Sequence, residues 1–269
     1  MSWRKVLAFW RRDFLEASSY RLSFILDYAG IAVQLCIFFF IGRLAGNSML
    51  PYLANYGGNY FAYVLIGIAF MSFQTLPLTS LGNALIREQS EGTLEAILMT
   101  PTPIGVLMIS SFFWNFLAAS LQTAAYLAAG IYFFHQHLPP VHWEACLLAL
   151  FLMMTSLLGF GLWAAGFILV YKKGDPVGFL MQGFSKLLAG VYFPVSLLPF
   201  WAQKLSYLLP LTFSLECLRK VLLKGVSLTE IRRELLILAL FSVVFIPLGL
   251  LFFRWALRRA KRDGSLSFQ

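Results

Sequence analysis

Charge is scarce in this 269-residue sequence: Asp, Glu, Lys and Arg together make up only 12% of it, about half the share a soluble domain carries. A chain so poor in charge cannot cover a folded surface with solvated groups, so its outer surface must face lipid. Cysteine is limited to Cys36, Cys146 and Cys217, an odd number with no CxxC spacing. That excludes a disulfide framework and a cysteine metal site, and the three read as small apolar fillers. Histidine is limited to His135, His137 and His142, within eight residues and near Glu144. HxH followed by HxE, beside Pro139 and Pro140, matches no standard metal site, and interfacial polar residues are the commoner explanation. No Gly-Lys pair occurs anywhere, so the phosphate-cradling GxxxxGK[ST] loop is missing and this chain binds no nucleotide of its own. An intramembrane hydrolase would need a nucleophile and a base on facing helices. The serines inside the apolar segments (Ser72, Ser120, Ser156, Ser242) lack a GxSxG or similar setting.

What the sequence has instead is grease. Hydrophobic residues make up 59%, aromatics 17%, and the mean hydropathy is +0.76. A spanning helix needs about 20 largely apolar residues, and six segments qualify: 24–45, 60–84, 105–134, 145–171, 177–193 and 235–253. Backbone polar groups in lipid must be satisfied within the segment, so these are helices, and the alternation of a membrane barrel strand is absent. The expected fold is an all-α membrane protein, with a six-helix transmembrane domain over 24–253. No stretch outside the spans is long enough to build a second core. The net charge of +9 would suggest nucleic acid on a soluble protein. Here the basic residues sit beside apolar segments, which favours anionic lipid and no nucleic acid.

Orientation follows from the basic flanks. Arg4, Lys5, Arg11, Arg12 and Arg21 precede the first span, Arg87 lies in loop 85–104, and Lys172 and Lys173 lie in 172–176. Arg254, Arg258, Arg259, Lys261 and Arg262 follow the last span, in a basic cytoplasmic tail over 254–269. Loops 46–59 and 135–144 carry none, so every second connection is basic and both termini face the cytoplasm. Segment 194–234 runs against this pattern with Lys204, Arg219, Lys220, Lys224, Arg232 and Arg233, but longer translocated segments obey the rule less strictly. Ahead of the first span, Trp3, Val6, Leu7, Trp10 and Phe14 share one helical face, and 1–23 reads as an amphipathic helix lying in the cytoplasmic interface.

Two further segments carry information. From Phe193, Pro194 and Pro199 to Pro210, proline spacing breaks 194–234 into short apolar helices. They form either an external re-entrant hairpin or a surface cap on the bundle. Among polar residues within the spans, Gln34 and Gln74 fall deepest, with Asn115 in the third span. They can line a substrate path or hydrogen-bond helix to helix, and for each one singly the second reading is the commoner. In the loop between spans two and three, Glu88, Glu91 and Glu95 recur at helical spacing, with Leu94, Ile97 and Leu98 as an apolar side. An acidic face on an otherwise basic cytoplasmic surface suits a docking element for a soluble partner.

At these residues the sequence resembles the integral membrane subunits of type 2 ABC exporters. EQSEGTLEAILMTP, from Glu88 to Pro101, looks like the family's "E…EGTLE…L…TP" loop. Tyr192 to Pro199 and Leu209-Pro210-Leu211-Thr212-Phe213 resemble its "FPxSxLP … PLT" pattern, and Arg219 and Gly225 sit where the family has "R…G" before the last helix. The resemblance implies a permease paired with a second permease chain, the same or homologous, above two copies of a cytoplasmic ATP-binding subunit that holds ATP and Mg. It implies that the loop is the coupling helix, with Glu88, Glu91, Gly92, Thr93, Leu94 and Glu95 transmitting motion and Gly92 allowing a turn that a side chain would obstruct. It also implies the plasma (inner) membrane of a prokaryote, and the EGTLE form leans toward the drug-export or lipid-export branch. The rival from another class is an ATP-independent secondary transporter or channel. That would need buried coupling-ion groups near the midplane, where this chain has only amides.

Overall fold

The computed structural model describes residues 11–12, 15, 21–45, 50–90, 92, 99, 104–134, 139–171 and 176–262, and among them every regular element is a helix. The first, α1 (Arg21–Ala45), is followed by a helical turn at Leu50–Leu53. Asn59 then caps α2 (Tyr60–Ala69) by accepting from the Ala62 amide at 3.3 Å, and α3 (Met71–Ser90) follows after a break at Phe70. Two long helices follow, α4 (Ile104–Phe134) and α5 (Trp143–Tyr171). Next come α6 (Pro176–Leu188), α7 (Phe200–Ser206) and α8 (Pro210–Lys224), and α9 (Arg232–Arg262) closes the order.

Five stretches are long and apolar enough to cross a membrane: Ile25–Leu44, Tyr60–Glu88, Gly105–Phe133, Trp143–Tyr171 and Arg232–Ala260. The segment expected at 177–193 differs from the sequence reading. Its helix has 13 residues and is about 20 Å long, against a hydrocarbon core of about 30 Å. The chain turns after it at Gly190, which has φ +76°, a conformation that suits glycine because it lacks a Cβ. At the far end, α9 continues through Arg262, so much of the expected tail is a further stretch of helix. Its Ala256 and Ala260 stay buried, which gives the chain reason to remain helical. Residues 263–269 and most of 1–23 lie outside the described residues.

The spans are not equivalent. Within their apolar windows 83% of α2–α3 and 56% of α5 are buried, against 11%, 22% and 17% of α1, α4 and α9. The first two are therefore the centre of the bundle, and the other three form the lipid-facing ring. Outward Ile25, Val33 and Phe40 on α1, and Leu236, Leu240 and Val243 on α9, are exposed as a lipid surface requires. In lipid, apolar surface alone gives helices little reason to associate, so close packing through small residues does more of the work. A side chain at Gly159 of α5 would meet the Phe245 carbonyl, one at Gly161 the Pro77 carbonyl of α3, and one at Gly249 of α9 the backbone of Gly159. Helix α5 accordingly makes its largest contacts with α9 and α3.

Candidate functional site

The basic residues that close α9 share one end of the bundle with the last turns of α3. There Leu81 of α3, Met108 of α4, Leu169 of α5 and Ala260 of α9 pack into one small core. In the last turn of α3, Glu88 is 1% exposed and lies 2.8 Å from the guanidinium of Arg12, itself 35% exposed. This pair joins the N-terminal segment to the final turn of α3. Helix α3 runs to Ser90, and Gly92 follows with φ +70°, a backbone turn that glycine adopts without strain. Glu91, Thr93, Leu94 and Glu95 lie outside the described residues. Glu88 thus faces Arg12 and the bundle, with its carboxylate withdrawn from the surface.

The opposite end is organised by Arg219 of α8, only 2% exposed. Its Nε donates to the Tyr63 carbonyl of α2 at 3.1 Å, and a terminal nitrogen donates to the Val191 carbonyl at 3.0 Å. The guanidinium carbon lies 3.4 Å from the centroid of the Tyr63 ring, and the Tyr63 hydroxyl donates to the Gly190 carbonyl at 2.9 Å. Burial pulls the Arg219 pKa down, and the two carbonyls and the π face offset the loss of hydration. Gly67 is bare where a Cβ would strike Val191 and Arg219. One side chain therefore ties α2, the turn after α6, and α8 together. Beside it, Lys220 lies 3.0 Å from Glu216 and 2.8 Å from Glu234 of α9. Burial alone would lower its pKa, but these carboxylates hold the ammonium above its ordinary value.

The prolines singled out in the sequence bound this outer segment. Pro194 precedes a 3-10 turn at Val195–Leu197, Pro199 caps α7, and Pro210 opens α8 where its missing N–H costs nothing. Phe193 lies in the bends between α6 and that turn. Helix α8 buries Leu211, Leu215, Leu218 and Val221, while α7 exposes Phe200 and Trp201, and Leu208 is exposed in the turn after it.

The three interior amides separate. Gln34 accepts from the Tyr126 hydroxyl at 2.8 Å, a bond between α1 and α4. Gln74 is fully buried in α3, and among the described residues neither its nitrogen nor its oxygen has a hydrogen-bond partner. Asn115 is exposed on a groove between α3 and α4 that includes neither of the others. That groove, about 230 Å³, is lined by Ser72, Thr75, Thr79, Ser80 and Asn83 from α3 and by Asn115 and Gln122 from α4. Sequence reasoning weighed Ser72 only as a nucleophile and did not see the hydroxyls as a stripe. The spacing 72, 75, 79, 83 is the signal, because it lays one stripe along a helix. Of the histidines, His142 lies in a cleft with Glu144 and Ser227, while His135 and His137 lie outside the described residues.

Comparison with known proteins gives the family. The model of the ABC-2 family transporter protein matches residues 47–251. Nodulation protein J of Sinorhizobium fredii (strain NBRC 101917 / NGR234) is 28% identical over 263 residues, covering 91% of this chain and 92% of its own length. Nodulation protein J of Rhizobium meliloti (strain 1021) is 27% identical over 244 residues, 88% of each chain. The probable multidrug ABC transporter permease YbhR of Escherichia coli (strain K12) is 26% identical over 155 residues, 56% of this chain, and the match spans only 40% of that protein. With most of its length matched by the family model and its apolar helices built to cross a bilayer, this chain belongs to the ABC-2 transporter family as a multi-pass membrane permease.

Proposed function

We propose that the chain is the membrane-spanning subunit of an ATP-driven exporter. It moves a hydrophobic or amphiphilic substrate, such as a drug, antibiotic, lipid or glycolipid, out of the cytoplasm or inner leaflet. The observation that carries this reading is the family match over 47–251, which takes in both the EGTLE loop and the proline-bounded outer segment. This chain binds no cofactor; ATP and Mg belong to two copies of a separate cytoplasmic subunit, and a second permease completes the path. The complex lies in the plasma membrane of a prokaryote.

Force enters at the turn after α3. Glu91, Gly92, Thr93, Leu94 and Glu95 meet the ATP-binding subunit, while Glu88 acts one step back, fastening the N-terminal segment to α3 through Arg12. The span α2–α3 carries that motion outward, because it holds Glu88 at one end and Tyr63 at the other. Pro77 lies within α3 and removes one intrahelical hydrogen bond, which gives that helix a natural bending point. A sixth crossing is completed by α6 with the bends up to Phe193, and it places both termini on the cytoplasmic face. The α7–α8 hairpin then dips into the outer leaflet as the lid of the path.

The first test is whether a gene for a Walker-motif ATPase lies next to this one, and the second is co-expression of the two. The expected product is a complex of two permeases and two ATPases that exports only with ATP. Purification of the chain alone, with transport driven by an ion gradient and no nucleotide, contradicts the reading.

A further inference from the structure

The groove between α3 and α4 has a chemistry that its setting does not explain. Its residues fall within two crossing stretches, Tyr60–Glu88 and Gly105–Phe133. From Ser72 to Asn83 it runs about 16 Å along α3. A second hollow of about 180 Å³ extends it past Ser80, Asn83 and Asn115 to Ser111, Trp114 and Arg87 at the basic end. The opposite face of α4, with Ile109, Phe113, Leu117 and Leu121, is exposed and apolar. Helix α4 thus has one face made for lipid tails and another that is not.

Hydrogen bonding inside the groove is incomplete. The Ser72 hydroxyl donates to Gln122 Oε1 at 2.6 Å, and Thr75 and Thr79 donate back to carbonyls of their own helix at 2.9 and 3.0 Å. Those bonds consume the donors and leave the hydroxyl oxygens as acceptors. Ser80 is 2% exposed, and among the described residues its hydroxyl has no partner. Asn83 and Asn115 are exposed. An amide or hydroxyl facing hydrocarbon without a partner costs several kcal/mol. The groove must therefore be filled by something that hydrogen-bonds. Between Ser72 and Asn83 its lining offers neutral donors and acceptors and no formal charge; the one charged residue, Arg87, stands at its end.

We infer that this groove is a binding site, open to the side of the bundle, for the uncharged hydrogen-bonding head of an amphiphile whose apolar tail stays in the bilayer. Asn83 and Asn115 grip the head at the mouth, and Ser80 reaches it from within. The inference names a substrate class for the proposed exporter and rests on that reading, but its test needs no ATPase and so fails or succeeds separately.

The full chain is placed in nanodiscs and photolabelled with diazirine-bearing monoacylglycerol, whose head is an uncharged diol. Diazirine-bearing lysophosphatidic acid, which adds a phosphate, serves as the comparison. The expected result is monoacylglycerol labelling concentrated in 72–83 and 111–122, with weaker labelling by the phosphate probe. Asn83→Leu combined with Asn115→Leu lowers it by about tenfold, the scale of one net hydrogen bond. Thr75→Val with Thr79→Val keeps the shape of the helix, removes the acceptor oxygens, and lowers labelling in the same direction. Labelling spread evenly over the lipid-facing helices of the wild-type chain overturns the inference, as does a preference for the phosphate probe. So does an Asn115→Cys chain that cross-links to position 115 of a second copy, because the groove is then a contact between permeases.

Discussion

The guanidinium of Arg219 stacks 3.4 Å from the centre of the Tyr63 ring while its Nε donates to the carbonyl of the same residue. A second donor reaches Val191, so three segments far apart in sequence depend on one planar fork. Lysine keeps the charge but cannot span both carbonyls in that geometry. Arg219→Lys is expected to lower the thermal unfolding midpoint in detergent clearly, and Arg219→Ala to lower it further. Losing a hydrogen bond to a charged group costs about 1.5–3 kcal/mol. An unchanged midpoint in both variants would remove the clamp from the account.

Arg12 and Glu88 predict a rescue. Arg12→Glu sets two carboxylates against each other where one is already buried, and ATP-driven export should fall while the chain still inserts. Combining Arg12→Glu with Glu88→Arg should restore part of it, with a coupling energy of about 0.5–3 kcal/mol as residues in contact show. Effects that simply add would mean that the two side chains act independently.

Close packing of α5 predicts a sharp contrast between glycines. A side chain at Gly161 meets the Pro77 carbonyl, whereas at Gly183 it meets nothing within 4 Å among the described residues. Gly161→Val should destabilise by about 1–3 kcal/mol, the usual penalty of overpacking, and Gly183→Val should be near neutral. Thermal unfolding in detergent measures both. Equal midpoints would show that α3 and α5 do not approach so closely.

Much of the bundle was legible because the bilayer demands length and grease. All five spans start within three residues of the hydropathy segments, and the prolines at 199 and 210 do open short helices. The segment 177–193 is helical only as far as Leu188; Ala189, Gly190 and Val191 are as apolar as a span, and hydropathy does not see the backbone turn at Gly190. Glu88 looked like part of an acidic docking face because its spacing fits one. Only the tertiary position of Arg12 reveals its inward partner. Arg219 could be read as part of a motif, but its role depends on carbonyls 156 and 28 residues away. The groove was missed because serine and threonine cost little in a helix, so their stripe does not interrupt an apolar run.

Cys217 predicts chemical silence in the outer segment. Burial, with Glu234 and Glu216 nearby, pushes its thiol pKa up to about 12. At pH 8 only about one thiol in ten thousand is then the reactive thiolate. A water-soluble maleimide should leave Cys217 unmodified in the folded protein and label it after denaturation, with any native reaction appearing only as pH rises well above 8. Rapid native labelling at pH 8 would place α8 at the surface.

The central claim is that a separate ATPase drives this permease through the turn after α3. It is tested most directly by Glu91→Lys combined with Glu95→Lys, co-reconstituted with the ATPase in proteoliposomes. Reversed charge at a docking surface costs several kcal/mol, so ATP-driven export should fall by about tenfold or more in a chain that still inserts and folds. Export and ATPase stimulation both holding at wild-type levels would contradict the account.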